Sequence, residues 1–268
     1  MTVFGLVVAV RYFGRRGSLL RLPRLSSAPF LPPKELITGL DKGRLRIGAG
    51  NKEQAIARRT GYIRLVRIIG GMAGGRRLRV PGGTAVRPTP DLVRQAVFNS
   101  LAARIAGARV LELFAGTGAL SLECLSRGAA HATCVELSSR HAGFVRENLR
   151  TTGLAGETLD VRVQDAFVAI RQLAAQGAVF DLVFADPPYG EKNLKKRSES
   201  FAQRLLDDAH LPGLVAADGL LVLGHARRDT LALPDGVWRE RKCLRHGDSV
   251  MRMLEHAERR ECEMRNEE

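Results

Sequence analysis

Short apolar runs alternate with segments of helical periodicity between residues 109 and 254. The apolar runs predict seven strands, which are Arg109–Phe114, Ala132–Glu136, Leu159–Gln164, Phe180–Ala185, Gly219–Gly224, Trp238–Leu244 and Ser249–Leu254. The stretches between the first five strands predict helices at Ala119–Arg127, Ser139–Thr152, Ala166–Gln176 and Glu199–Ala209. Apolar strands joined by helices are typical of an α/β fold with a mostly parallel, doubly wound sheet. Only a short turn separates the last two strands, so we expect them to form an antiparallel hairpin at one edge.

A different pattern precedes this sheet. Arg64–Ile69 and Arg76–Pro81 are strand-like and flank a glycine-rich turn, which predicts an N-terminal β-hairpin with arginines on its faces. Thr89-Pro90-Asp91 then opens a helix, because Thr is a favourable N-cap and Pro suits the first helical position. We therefore expect one domain over residues 63–256, with the hairpin at 63–88 and the core at 89–256. A polar tail follows over residues 257–268.

The composition of the chain indicates the general class of protein to which it belongs. The chain has 268 residues and is 45% hydrophobic, which is enough for a packed core, and no apolar run is long enough to span a membrane. The formal net charge is +14, which favours a polyanionic partner. Residues 1–62 carry twelve basic and three acidic residues, or +9 of this charge. We expect residues 1–62 to be a disordered basic extension or a leader resembling a transit peptide, outside the folded core.

The four cysteines bear on metal binding and compartment. Cys124, Cys134, Cys243 and Cys262 show no CxxC spacing and have no paired histidines, so we expect no metal site. Cys124 and Cys134 fall within apolar patterns, where a buried free thiol is the usual role. Reduced cysteines fit a cytoplasmic protein.

Acidic residues and a glycine turn follow the first three strands of the predicted sheet. The turn Phe114-Ala115-Gly116-Thr117-Gly118 joins a strand to a helix, and Glu112 lies just before it. Glu136 ends the second strand and Asp165 follows the third. Ligands of such sheets bind beyond the carboxyl ends of the strands, where an acidic side chain can accept ribose hydroxyls. The pattern therefore predicts a nucleoside cofactor site. A third glycine is absent, since Ser121 stands in its place, which disfavours a dinucleotide.

The most specific feature is Asp186-Pro187-Pro188-Tyr189, which ends the fourth strand. Two prolines stiffen the backbone and remove its donors, which leaves carbonyl acceptors. A planar base could stack on Tyr189 while its exocyclic amine donates to the Asp186 carboxylate and the Pro187 carbonyl. Two acceptors on the amine hydrogens would favour a pyramidal nitrogen with its lone pair exposed. This loop therefore predicts chemistry at an amine nitrogen.

With these residues the sequence resembles methyltransferases that use S-adenosylmethionine to modify exocyclic or amide nitrogens, which have a Rossmann-like class I fold. It is most similar to the bacterial RsmD family, which methylates N2 of a guanine in small-subunit ribosomal RNA. The resemblance extends over about Ile63 to Glu255. It includes Arg67–Gly71, Gly75–Leu78, Arg87–Asn99, Leu122–Ala129 and Gly247–Ser249. One departure is Gly224, where the family pattern has Glu before His225.

The resemblance implies a role for each matching residue. Glu112, Gly116 and Gly118 would line the methionine end of the cofactor, with Phe114 of the same turn also in contact. Glu136 would hold the ribose, and Asp165 with Ala166 would meet the adenine. Thr89 would close over the amino-acid end, and the loop Asp186–Tyr189 would hold the target guanine.

Basic residues near these elements are candidates for binding the RNA backbone. They are Arg67, Arg76, Arg77, Arg87, Lys192, Lys195 and Lys196. We expect ribosomal RNA or a small-subunit particle as partner, no membrane or metal, and a monomer. Two alternatives stay open: an amino-methyltransferase acting on DNA adenine or protein glutamine, and a non-catalytic RNA-binding module.

Overall fold

The computed structural model describes residues 37–41, 44–47, 66–81, 91–154, 158–189 and 200–257. The chain forms two compact units, residues 1–56 and residues 57–268. Within the first unit, β1 (Ile37–Asp41) and β2 (Arg44–Ile47) pair as an antiparallel hairpin. The sequence interpretation of residues 1–62 as a disordered extension did not anticipate this hairpin. The predicted tail lies outside the described residues, apart from Ala257.

A seven-stranded sheet forms the core of the second unit. Its strands are β5 (Arg109–Leu113), β6 (His131–Glu136), β7 (Leu159–Val163), β8 (Phe180–Ala185), β9 (Val215–Ala226), β10 (Trp238–His246) and β11 (Ser249–His256). They lie in the order β10-β11-β9-β8-β5-β6-β7. The pairs from β7 to β9 are parallel, whereas β11 pairs antiparallel with both β9 and β10. The predicted doubly wound sheet with an antiparallel edge hairpin is confirmed.

Helices cover both faces of this sheet. They are α1 (Asp91–Leu101), α2 (Ala119–Ser126), α3 (Ser139–Thr152), α4 (Ala166–Ala175) and α5 (Phe201–Leu206). Successive residues of a central strand enter opposite cores. In β8, for example, Leu182 packs with residues of α1 and α2, and Val183 packs with residues of α4 and α5. This burial on both faces explains why a central strand such as β8 is apolar at most of its positions.

The N-terminal hairpin of the second unit is shorter than predicted. Its strands are β3 (Val66–Arg67) and β4 (Arg77–Leu78), which pair antiparallel. The loop between them is held on α2 by side chains: Glu123 accepts from the amides of Ile69 (2.6 Å) and Gly70 (2.9 Å). Ser126 of α2 also bonds this loop through its hydroxyl. Hydrogen bonds to α2 therefore replace much of the ladder that two longer strands would have formed.

Apart from the hairpin, strand β9 and helix α5 differ most from the expected bounds. Strand β9 starts four residues earlier, at Val215, because Gly219 is built into the strand at a register shift opposite Phe180 and Leu182. A Cβ at Gly219 would lie 2.9 Å from the Asp181 carbonyl oxygen, so glycine is needed there. Helix α5 ends at Leu206 rather than residue 209, and Asp208 then accepts from the amides of His210 and Leu211 in a turn. Within the described residues, none of the helices is long and apolar enough to cross a membrane.

Candidate active site

The two loops that carry the predicted chemistry leave the sheet side by side. Leu113 at the end of β5 pairs with Ala185 at the end of β8. Phe114 directly follows β5, and Asp186 directly follows β8. The glycine turn and the Asp-Pro-Pro-Tyr loop therefore begin side by side. The chain winds outward from β5 through β6 and β7, then returns to β8 on the other side of β5. This switch point is where open α/β sheets bind ligands.

The glycine turn contains strained and glycine-dependent positions. Phe114 has φ 58° and is the single non-glycine residue with positive φ among those the structure describes. Gly116 and Gly118 also have positive φ, of 56° and 70°. A Cβ on Gly118 would lie 2.8 Å from Val145 of α3, so this glycine allows the turn to pack against that helix. Backbone strain of this kind is concentrated at functional sites.

Glu112 lies beneath the turn, with 4% of its surface exposed. Its carboxylate accepts from the amides of Leu120 (3.3 Å) and Ser121 (2.8 Å) in the first turn of α2. The anion preference of this helix N-terminus is therefore met by the protein's own side chain. Burial raises the pKa of Glu112 to about 7, although its hydrogen bonds oppose the shift. The Glu112 carboxylate thus bonds to backbone amides of α2, whereas the resemblance implies that it contacts the cofactor.

Glu136 joins the end of β6 to the glycine turn. One carboxylate oxygen accepts from the Gly116 amide (2.7 Å) and the other from the Ser138 amide (2.9 Å). The Nδ1 atom of His141 lies 3.5 Å from the second oxygen. Each carboxylate oxygen can accept more than one hydrogen bond, so these contacts orient the group and leave acceptor capacity for a diol.

Asp165 is the N-cap of α4. Its Oδ1 accepts from the amides of Phe167 (2.9 Å) and Val168 (3.1 Å), and Ala166 begins the helix. Both capping bonds use one oxygen, so the cap does not occupy Oδ2. The preceding residue, Gln164, donates its backbone N–H to the backbone carbonyl of Glu136 (3.1 Å), which holds the ends of β6 and β7 together. Glu136 and Asp165 therefore lie at neighbouring strand ends, where the sequence predicts a shared crevice.

The Asp-Pro-Pro-Tyr loop combines buried and exposed parts. Pro187 is buried, Asp186 is partly buried, and Pro188 and Tyr189 are exposed. The Tyr189 hydroxyl donates to Ser249 Oγ at 2.8 Å. Partial burial, and then the Asp186 carboxylate, raise the pKa of this phenol, so Tyr189 is a neutral hydrogen-bond donor at neutral pH. The residue as a whole is 38% exposed, and an exposed aromatic ring is a surface on which a base can stack.

Three residues near these loops were not identified from the sequence. Leu137, directly after Glu136, is 70% exposed, which is unusual for a leucine at a strand end. The side-chain nitrogen of Gln164 is buried, without a hydrogen-bond partner within the described part of the chain. Ser249 reaches Tyr189 from β11, the inner strand of the antiparallel hairpin. An apolar residue after a strand-ending acid could have indicated Leu137, but no local pattern indicates the other two.

The predicted RNA-binding residues are only partly described. Arg87, Lys192, Lys195 and Lys196 lie outside the described residues, as does Thr89, which is predicted to bind the cofactor. Arg67 pairs with Asp91 at 3.1 Å, and Arg76 approaches the Thr151 carbonyl at 3.4 Å. Arg77 is exposed on β4. The hairpin arginines thus lie beside α1 and α3. In the ranges that the structure covers, no cluster of His, Cys, Asp or Glu could hold a metal ion.

This sheet and its paired loops form a methyltransferase fold, which solved structures described as putative methyltransferases share. A putative methyltransferase, yhhF, from Escherichia coli is 34% identical, with a TM-score of 0.57 over 72% of this chain and 98% of that one. The family model described as conserved hypothetical protein 95 matches residues 66–255. The chain belongs to this family, the RsmD family, as the sequence resemblance predicts.

Two curated relatives show the same kinship. The putative rRNA methyltransferase YlbH of Bacillus subtilis (strain 168) is 35% identical over 172 residues, which are 64% of this chain and 88% of that protein. The ribosomal RNA small subunit methyltransferase D of Escherichia coli (strain K12) is 44% identical over 124 residues. That match covers 46% of this chain and 60% of the relative.

Proposed function

We propose that this protein transfers a methyl group from S-adenosylmethionine to the exocyclic N2 amine of a guanine in small-subunit ribosomal RNA. The observation that carries the proposal is the pairing of Leu113 with Ala185, because it sets the cofactor turn beside the Asp-Pro-Pro-Tyr loop. A donor and an acceptor of a methyl group must meet at one point, and these loops start one residue beyond that pair. The names of the relatives support ribosomal RNA as the substrate class.

The residues of the crevice fit an adenosyl group. Glu136 is oriented by two amides and keeps acceptor capacity for the two ribose hydroxyls. Asp165 keeps Oδ2 outside its cap, and the buried side-chain nitrogen of Gln164 lacks a partner within the described residues. A purine ring offers acceptors to that nitrogen and an amine to the carboxylate. The exposed Leu137 side chain supplies an apolar surface for the ring.

The cofactor, when bound, supplies an electrophilic methyl group on a sulfonium centre. The task of the protein is then to hold the guanine amine in line with that methyl. Asp186 accepts one amine hydrogen, the Pro187 carbonyl accepts the other, and the Tyr189 ring stacks on the base. After transfer the methylated amine would lose one proton, to the Asp186 carboxylate or to water. Because the leaving thioether is neutral, positioning supplies most of the catalysis, on the order of 7–11 kcal/mol for well-oriented groups.

Recognition of the RNA must bring the base out of its stack. Extruding a base costs a few kcal/mol unless it already lies in a loop, and loops with splayed bases are common in ribosomal RNA. We assign backbone contacts to the exposed arginines of the hairpin, Arg76 and Arg77, and to the basic residues after Tyr189. Contacts of this kind make binding weaken steeply as salt rises.

The test is transfer of tritium from labelled cofactor to small-subunit particles that lack the modification, followed by nucleoside analysis. The expected product is N2-methylguanosine. Label in another nucleoside, or in protein, would refute the assignment of the substrate.

Asp186→Ala tests the role of the loop in the same assay. We expect loss of methyl transfer with unchanged binding of S-adenosylhomocysteine in calorimetry, because Asp186 faces the acceptor and not the cofactor. Asp235→Ala is the matched control, since Asp235 lies exposed in a turn before β10. If Asp186→Ala lost affinity for the cofactor as strongly as it lost methyl transfer, Asp186 would contact the cofactor and not the guanine.

A further inference from the structure

The Asp-Pro-Pro-Tyr loop is bonded to the antiparallel end of the sheet. The Tyr189 hydroxyl donates to Ser249 Oγ at 2.8 Å, although 60 residues separate the two in sequence. Ser249 is the first residue of β11 and pairs with Ala226 at the end of β9. The parallel strands provide the two loops, whereas an antiparallel strand provides this contact.

A second contact to the loop depends on a missing side chain. Gly224 is buried in β9, and a Cβ there would collide with Asp186 Oδ1 and lie 2.9 Å from Asp186 Cγ. In this chain, which departs from the family pattern of Glu at position 224, the Asp186 carboxylate therefore occupies the space that a side chain there would fill. Gly224 pairs with Met251, two residues beyond Ser249 on β11. The two contacts thus lie two residues apart on one strand pair, with a single rung between them.

The strand pair that carries these contacts is itself fixed. The Arg227 amide donates to the Asp248 carbonyl at 2.8 Å, which closes the ladder beside Ser249. His225 lies between the two rungs and is 3% exposed. Its Nδ1 bonds the Ala226 carbonyl, and its Nε2 accepts from Arg252 Nε of β11 at 3.2 Å. A carbonyl only accepts and a guanidinium only donates, so these bonds select one neutral imidazole tautomer.

We propose that Ser249 and Gly224 are positioning residues for methyl transfer. Ser249 fixes the tilt of the Tyr189 ring through its hydroxyl, and Gly224 leaves the space in which the Asp186 carboxylate is held. Neither residue touches the base or the cofactor. The inference rests on the proposed function, because it assigns these residues to the base-holding loop.

The hydroxyl contact is tested with Ser249→Ala, Ser249→Thr and Tyr189→Phe in the tritium assay. Loss of one hydrogen bond predicts a kcat roughly five- to tenfold lower for Ser249→Ala and Tyr189→Phe. We expect the KM for S-adenosylmethionine to stay unchanged. Ser249→Thr keeps the hydroxyl at a partly exposed position and should restore most of the wild-type kcat.

The double variant Ser249→Ala with Tyr189→Phe shows whether the two single variants act through loss of the same hydrogen bond or through two independent effects. If the bond is shared, the double variant loses no more activity than either single variant. The proposal would be overturned if the fold-losses in kcat of the two single variants multiplied in the double variant, or if Ser249→Ala kept the wild-type kcat. Either result would leave the proposed methyl transfer standing. An inactive wild-type protein would instead refute the proposed function.

Gly224→Ala tests the space held for Asp186. We expect at least a tenfold fall in kcat with unchanged affinity for S-adenosylhomocysteine, because the added methyl displaces the carboxylate. Gly143→Ala is the control: Gly143 is in α3, and a Cβ there meets no atom within 4 Å. Wild-type kcat in a folded Gly224→Ala would overturn this half of the proposal. If the variant does not fold, the Ser249 series still decides the role of the strand pair.

Discussion

Replacing Glu112 by Gln should change how the stability of the domain depends on pH. The carboxyl group is buried, and its pKa is raised from 4.5 to about 7 by that burial. The unfolded chain loses this proton near pH 4.5, whereas the folded domain keeps it until about pH 7. The stabilisation from the folded carboxyl is therefore complete below pH 4.5 and is lost as pH rises through 7. Gln stays neutral throughout and keeps an acceptor oxygen for one of the two amides, those of Leu120 and Ser121.

The size of the effect follows from the pKa difference. A shift from 4.5 to about 7, at about 1.4 kcal/mol for each pH unit, corresponds to roughly 3 kcal/mol. The free energy of unfolding of Glu112→Gln, relative to the wild type, should rise by this amount between pH 4.5 and pH 8. Other titrating groups occur in both proteins, so their contributions cancel in the difference.

Urea unfolding at a series of pH values measures this difference. The sole tryptophan, Trp238, is 4% exposed at the start of β10, and its fluorescence should report loss of the sheet. Parallel stability curves for the two proteins across pH 4.5–8 would refute the raised pKa. A difference that grows toward low pH would reverse the sign and mean that α2 stabilises the ionised form.

Three substitutions and one truncation test other parts of the structure. Glu123→Ala leaves two loop amides and Arg127 without their acceptor. It should lower the free energy of unfolding, measured in urea titrations, by roughly 3 kcal/mol. A loss below about 1 kcal/mol would mean that Glu123 does not anchor the hairpin loop. Gly143→Ala should raise that free energy by about 1 kcal/mol, because Ala suits a helix interior better; a fall would contradict the open space seen there. Glu136→Gln should weaken S-adenosylhomocysteine binding at least tenfold in calorimetry, and unchanged affinity would exclude the ribose contact. Removal of residues 1–62 should leave methyl transfer unchanged; a truncated protein that binds cofactor but does not modify RNA would refute the proposed domain boundary.

The sheet was predictable because its strands are buried on both faces. From Arg109 to Ala185 the four predicted strands agree with the structure to within one residue at each end. Strand β9 was not predicted in full, because Asp218-Gly219 has the composition of a turn and here lies within a strand. The hairpin at residues 37–47 was missed for a related reason, since short strands separated by Lys42 and Gly43 give little hydrophobic periodicity.

The candidate site was predictable in its location but not in its hydrogen bonds. Acids after successive strands indicated the crevice, since parallel strands end at the same edge. The orientation of Glu112 could not be read from the pattern, because it depends on the exposed amides of α2. The contact between Tyr189 and Ser249 joins residues 60 positions apart, and only the strand order brings them together.

The attachment of the hairpin loop to α2 has a consequence during synthesis. The loop bonds residues 53 to 56 positions later in the chain, and Arg79 bonds Asn148, 69 positions later. At about 5–20 residues per second, a ribosome takes roughly 3 to 14 s to deliver those partners. Two strands of two residues each cannot persist alone in that interval. The segment that begins the domain therefore cannot take up its folded form until the helices that hold it have emerged.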